Sequence, residues 1–185
     1  CQFSNDVYKQ IKGVAMGQPC AVVFAVIYLL QLELDLLHSI YSPNRPLLFI
    51  RFIDDIFAIF KTTSDAHTFI TLYNKLHDSI KLTYDISTSV TIMDLTVSII
   101  QPLPHTFTLA SDIFQKPTNK YLYITPKSYH HPSIFANFIT SELRRYRLYC
   151  SEDSDYQATK TLFYDRLLSR GYQHSYLPLL FNTPV

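Results

Sequence analysis

The stretch LLFIRFIDDIFAIF, Leu47 to Phe60, sets two adjacent carboxylates, Asp54 and Asp55, in the middle of an almost wholly apolar run. An ionised carboxylate in apolar surroundings is costly unless it is paired, hydrogen-bonded or metal-bound. The run divides into two arms of strand length, 47–53 and 56–60, so it reads as a β-hairpin with the acids at its bend. Acids projecting together from a tight bend offer the clustered oxygens that hard divalent cations take. A surface Asp-Asp turn is the competing reading. The apolar arms, which would anchor the bend in a core, and the lack of Gly or Asn at the turn favour the metal site.

The rest of the chain limits what such a site could serve. At 185 residues, 48% hydrophobic and 17% charged, it is long enough for one sizeable core or two small ones, and too apolar to be disordered. Cys1, Cys20 and Cys150 form no CxxC pair and are odd in number. That argues for packing roles in a reducing compartment, nucleus or cytoplasm, and against a disulfide frame or a zinc knuckle. The longest strongly apolar run, Ala21 to Leu30, is about half of the ~20 residues a membrane span needs, so no membrane helix is expected. No signal peptide opens the chain and its first residue is Cys, so it reads as a piece of something longer.

Charge is uneven. Residues 1–110 hold seven Lys/Arg against nine Asp/Glu, and residues 111–185 hold nine against six, which gives −2 and +3. Between Lys116 and Cys150 six cations face a single acid, Glu142, with Tyr121, Tyr123, Tyr129, Phe135, Phe138 and Tyr146 interleaved. Cations and aromatic faces together are one way to hold a nucleic-acid backbone; a solvated helix face over an aromatic core is the other reading.

The apolar pattern predicts a helix from about Cys20 to Ser39 that turns amphipathic at Glu33 and Asp35, then a Pro/Asn loop and the acid-tipped hairpin. A helix over 64–80 follows, capped by Ser64. Strands are expected in KLTYDIS, in TIMDLTVSII and after PLPH, and two helices from Pro132 onward, the second ended by Gly171. The fold class is α+β: an antiparallel sheet with covering helices over 1–131 and a helical segment over 132–185.

GVAMGQP before a long helix, FIDD between apolar arms, IKLTYDIS, MDLTVSI, FQKPTNKYLYITPKSYHHP, SELRRYRLYCS and SRGY stand in an order that resembles the reverse transcriptases of Penelope-like retroelements, relatives of telomerase catalytic subunits. The resemblance implies a partial polymerase palm followed by a thumb segment. It implies two-metal nucleotidyl transfer with Mg2+ or Mn2+, an RNA template and DNA primer held as an RNA–DNA hybrid, and deoxynucleoside triphosphates as substrate. Asp54 and Asp55 would hold the metal, and Lys81 would protonate the departing pyrophosphate; an exposed helix-end lysine is the plain alternative. Gln10, Gly13, Met16, Gly17, Pro19 and Phe52 would lie against nucleotide and template. Lys116, Thr118, Asn119, Lys127, Arg144 and Arg147 would grip the primer duplex.

Arg144 and Arg147 share a helix face by spacing, with Arg145 turned away. Asp94 has no derivable chemical role; satisfying a turn or neighbouring backbone donors is the plain reading. The first catalytic Asp and the fingers of such enzymes have no counterpart here and would come from an upstream segment of the parent chain. A non-catalytic nucleic-acid-binding remnant of a retroelement is the alternative function.

Overall fold

A computed structural model describes residues 2–3, 6–9, 11, 13–15, 17–40, 44–103 and 106–182, with only the backbone described at 2, 3 and 101–103. The chain divides into two compact units, Cys1–Ile86 and Ser87–Val185, so the expected boundary at 131/132 falls inside the second unit.

In the first unit, β1 (Gln2–Phe3) pairs with β2 (Asp6–Val7), and β3 (Leu48–Phe52) pairs with β4 (Asp55–Ile59), both antiparallel. Helix α1 spans Ala21–Ser39, the apolar run 21–30 continuing into a stretch of alternating Leu and polar residues, and α2 spans Thr63–Tyr73. The cap of α2 is Thr62, not Ser64: its hydroxyl accepts from Asp65 N and donates to the Asp65 carboxylate. The helix also stops at Tyr73, short of the expected 80. Leu76 and Ile80 keep helical spacing but reach the core of Leu36, Ile40, Phe69 and Tyr73 from a turn. Asn74 fixes that turn by accepting from Leu82 N at 2.7 Å. Residues 81–86 form no strand.

The polarity of α1 is reversed from the expected one. Glu33 is buried, whereas Val23, Phe24, Ile27 and Tyr28 are half exposed. At 19 residues and a hydropathy of 1.7, α1 is long and apolar enough to cross a membrane by length and composition alone, being longer than the apolar run 21–30 suggests. Its far half is nonetheless committed to protein contacts. Arg51 of β3 donates to Glu33 at 2.6 Å and to the Val26 carbonyl at 3.3 Å, and Tyr73 of α2 donates to Glu33 at 2.8 Å.

In the second unit, β5 (Ser89–Ile92), β6 (Leu95–Leu103) and β7 (Thr106–Ile113) form an antiparallel sheet in that order. Helices α3 (Pro132–Tyr149), α4 (Asp153–Ser169) and α5 (Leu177–Phe181) follow. Among the described residues, the single sheet expected over 1–131 is three antiparallel pieces, two in the first unit and one in the second. The core gathers Ile113, Ile139, Leu143, Tyr146, Phe163, Leu167, Leu177 and Phe181. Pro132 opens α3 at the position where its missing N–H costs nothing. Gly171, at φ +93, ends α4 with Gly171 N donating to Leu168 O and Tyr172 N to Leu167 O, the Schellman arrangement.

Candidate nucleic-acid interface

The acid-tipped hairpin forms where it was expected. Phe52 pairs with Asp55, leaving Ile53 and Asp54 as a two-residue turn, and both acids are exposed. Ile53 has φ +56, the glycine position of a type II′ turn and a costly place for a β-branched residue. Arg51 offsets the strain by donating to the Ile53 carbonyl at 2.9 Å. The arms do not bury the tip: Ile50 and Phe52 are half exposed. The donor set there is two carboxylates of neighbouring residues. Among the described residues, no three His, Cys, Asp or Glu side chains are placed to share an ion, so these residues do not fit a two-ion cage.

Lys81 takes the plain role: its ammonium caps the carbonyls of Asn74 and His77 just beyond α2. Gly13 and Gly17 have φ +76 and +90, so glycine is required there by the backbone angle. A Cβ on Gly17 would meet nothing within 4 Å, so close approach is not the reason. Pro19 is exposed just before α1; Gln10 and Met16 lie outside the described residues.

In the second unit the basic segment 114–131 has neither helix nor strand, and it is pinned from α4 and its exit. Arg166 donates to Gln115 at 2.6 Å and lies 3.4 Å over the Tyr121 ring. Arg170 donates to the Tyr123 carbonyl and Tyr172 to that of Ile124. Lys116, Thr118, Asn119, Lys120 and Lys127 are exposed, and Tyr129 is wholly so at 109%. His131 caps α3, its ring nitrogen accepting from Ser133 N.

On α3 the spacing argument holds: Arg144 and Arg147 are exposed and Arg145 is half-buried. Arg147 pairs with Asp153 at 3.1 Å and lies over Tyr156. Arg145 donates to Glu142 at 2.8 Å and to Asp94 at 3.1 Å. Burial pulls its pKa down, but the Glu142 hydrogen bond and charge, with help from Asp94, more than offset that and hold it above the ordinary value. The Tyr146 hydroxyl is pushed up, first by burial and then by its hydrogen bond to Tyr123.

Three residues, Cys150 to Glu152, connect α3 to α4. No sequence pattern marks what holds this turn. Ser151 N donates to the Ser111 carbonyl, Ser111 N donates to Ser151 Oγ, and Ser111 Oγ donates to the Tyr149 carbonyl, all at 2.7–2.8 Å. The turn is therefore clasped to β7. Cys150 packs in the core as expected, whereas Cys20 is exposed.

Asp94 also finds its place. Met93, at φ +52, and Asp94 form the turn between β5 and β6, with Ile92 paired to Leu95. The strained turn residue followed by Asp, flanked by apolar strands and latched by an arginine, recurs in FIDD and IMDL. Those two phrases therefore report a turn type and by themselves point to no polymerase.

The comparisons agree. Residues 122–178 match the model of an animal helix-turn-helix domain, and no reverse transcriptase family is found, which corrects the Penelope-like resemblance. No curated protein and no solved structure matches the chain. The matched stretch begins in the pinned basic segment, takes in α3, the clasped turn and α4, and ends at the start of α5.

Proposed function

We propose that the second unit binds nucleic acid as a helix-turn-helix pair, through the basic segment 120–131 and the exposed edge of α3. The observation that carries this reading is the coincidence of the matched stretch with a short, clasped turn between two helices whose lead segment exposes Lys120, Lys127 and Tyr129. Many helix-turn-helix proteins insert the start of the second helix into the major groove. Here α4 begins with Asp153 and Asp155, which phosphates repel, so the contact is assigned to the segment before α3 and to Arg144. Contacts of this kind act chiefly on the backbone and fix position more than sequence.

Binding should then weaken with salt. Duplex DNA and an RNA–DNA hybrid, titrated by fluorescence anisotropy, should both show a negative log–log slope. Lys127→Ala combined with Arg144→Ala should flatten it by roughly 1.8 on duplex DNA, at about 0.9 per phosphate contact. An unchanged slope would return both residues to an ordinary solvated face.

We also propose nucleotidyl transfer as a second reading, on one observation, the adjacent carboxylates of Asp54 and Asp55 exposed together at a hairpin tip. Two carboxylates support only weak binding of Mg2+ or Mn2+, and a catalytic centre would need ligands from elsewhere. Isothermal titration should give weak Mn2+ binding that Asp54→Ala removes. Equal affinity in the variant would withdraw the proposal.

A further inference from the structure

A cavity of about 410 Å3 opens in the second unit between the pinned segment 114–123 and one face of α3. That volume suits a small organic ligand. Its charged lining is balanced: Asp94 and Glu142 supply two negative charges, Lys116 and Arg145 two positive ones. Both acids are already paired with Arg145. A neutral lining that includes two carboxylates does not suit a free phosphate.

Its neutral polar groups are mostly donors. The Asn119 oxygen accepts from Tyr121 N at 2.9 Å, and the Gln115 oxygen accepts from Arg166 and from the Tyr121 hydroxyl. With their oxygens used inside the fold, both carboxamides offer a ligand their NH2 groups. Arg145 spends its terminal nitrogens on Asp94 and Glu142, so it braces the wall and leaves the reading of a ligand to the two carboxamides. The apolar part of the wall is mostly aromatic, from Phe114, Tyr121, Tyr123, Phe138 and Tyr146, with Ile113 beside them.

We propose that this cavity receives a single unpaired nucleobase with an acceptor-rich edge, guanine, uracil or thymine in preference to adenine, set against aromatic rings and read by Asn119 and Gln115. Bases held out of a duplex are recognised in this way, by an aromatic face and hydrogen bonds to the base edge. The inference deepens the nucleic-acid reading of the same unit and rests on it.

The test uses the full chain and free nucleoside 5′-monophosphates, with ligand-observed NMR as readout and duplex binding measured in parallel. GMP and UMP should bind saturably, and AMP about tenfold more weakly, the worth of one misplaced hydrogen bond. Asn119→Ala should reduce GMP and UMP binding by about the same factor; Asn119 is exposed, so an unchanged melting temperature would show the fold intact. Equal binding of all three nucleotides, full competition by inorganic phosphate, or indifference to Asn119→Ala would overturn the cavity's assignment, whatever the duplex does. Asn119-dependent nucleotide binding without duplex binding would support the cavity and overturn the proposed function instead.

Discussion

Replacing Glu33 with Ala should destabilise the first unit by about 3 to 5 kcal/mol, the usual cost of stranding one partner of a buried ion pair. Glu33 and Arg51 are both almost fully withdrawn from water, with side chains 4% and 7% exposed. Arg51 would keep its bonds to the carbonyls of Val26 and Ile53 but lose the charge that offsets its own. Tyr73 would lose its acceptor inside the Leu36, Phe69 core. The paired replacement Glu33→Leu with Arg51→Met should recover most of the loss, because well-packed apolar residues often equal a buried pair. Urea denaturation of the three chains measures it. A single variant within about 1 kcal/mol of the parent would mean that water reaches the pair and that its burial is not what ties α1 to the hairpin.

The same network sets an alkaline limit. Burial first, then the Glu33 hydrogen bond and charge, raise the pKa of Tyr73 against the lowering pull of Arg51. A folded pKa above the unfolded value of about 10 means that this contribution is intact below about pH 10 and is lost as pH rises beyond it.

What the sequence made legible was punctuation. Pro132 and Gly171 mark the outer ends of the α3–α4 pair because each has a backbone reason to stand there. The bend at Asp54 was visible because two apolar arms leave it no other place. A turn is open to Asp94 from the sequence, but the hairpin around it does not stand out, because a residue at positive φ is expected to be Gly or Asn and Met93 stands there. Leu76 and Ile80 extended a helical pattern past Tyr73 because periodicity records which side chains reach the core, not whether the backbone carrying them is helical. Glu33 was read as the solvated side of α1 since its partner, Arg51, lies on a strand that folding alone brings near. The Ser111–Ser151 clasp has no sequence signature at all: two serines forty residues apart are ordinary until β7 and the turn meet.

Phe163→Ala tests whether the proposed interface depends on the fold beneath it. The ring is fully buried and stands edge-on to Tyr123, Phe138 and Tyr146, with centroids 5.2, 5.9 and 5.4 Å away, and stacks on Phe181 at 5.8 Å. Truncating such a side chain costs about 3 to 5 kcal/mol through lost burial and the cavity left behind. Three of these neighbours also line the nucleobase cavity, so its aromatic wall should loosen together with the packing of α3 on α4. Phe163→Leu keeps most of the volume and should cost less, giving a graded pair of variants. Melting followed by near-ultraviolet circular dichroism, with duplex binding measured over the same temperatures, should show binding lost as packing is lost, at a lower temperature in Phe163→Ala than in Phe163→Leu. Binding that survives the loss of tertiary signal would show that the cationic run from Lys116 to Lys127 needs no helix pair behind it, and the helix-turn-helix reading of the interface would fall.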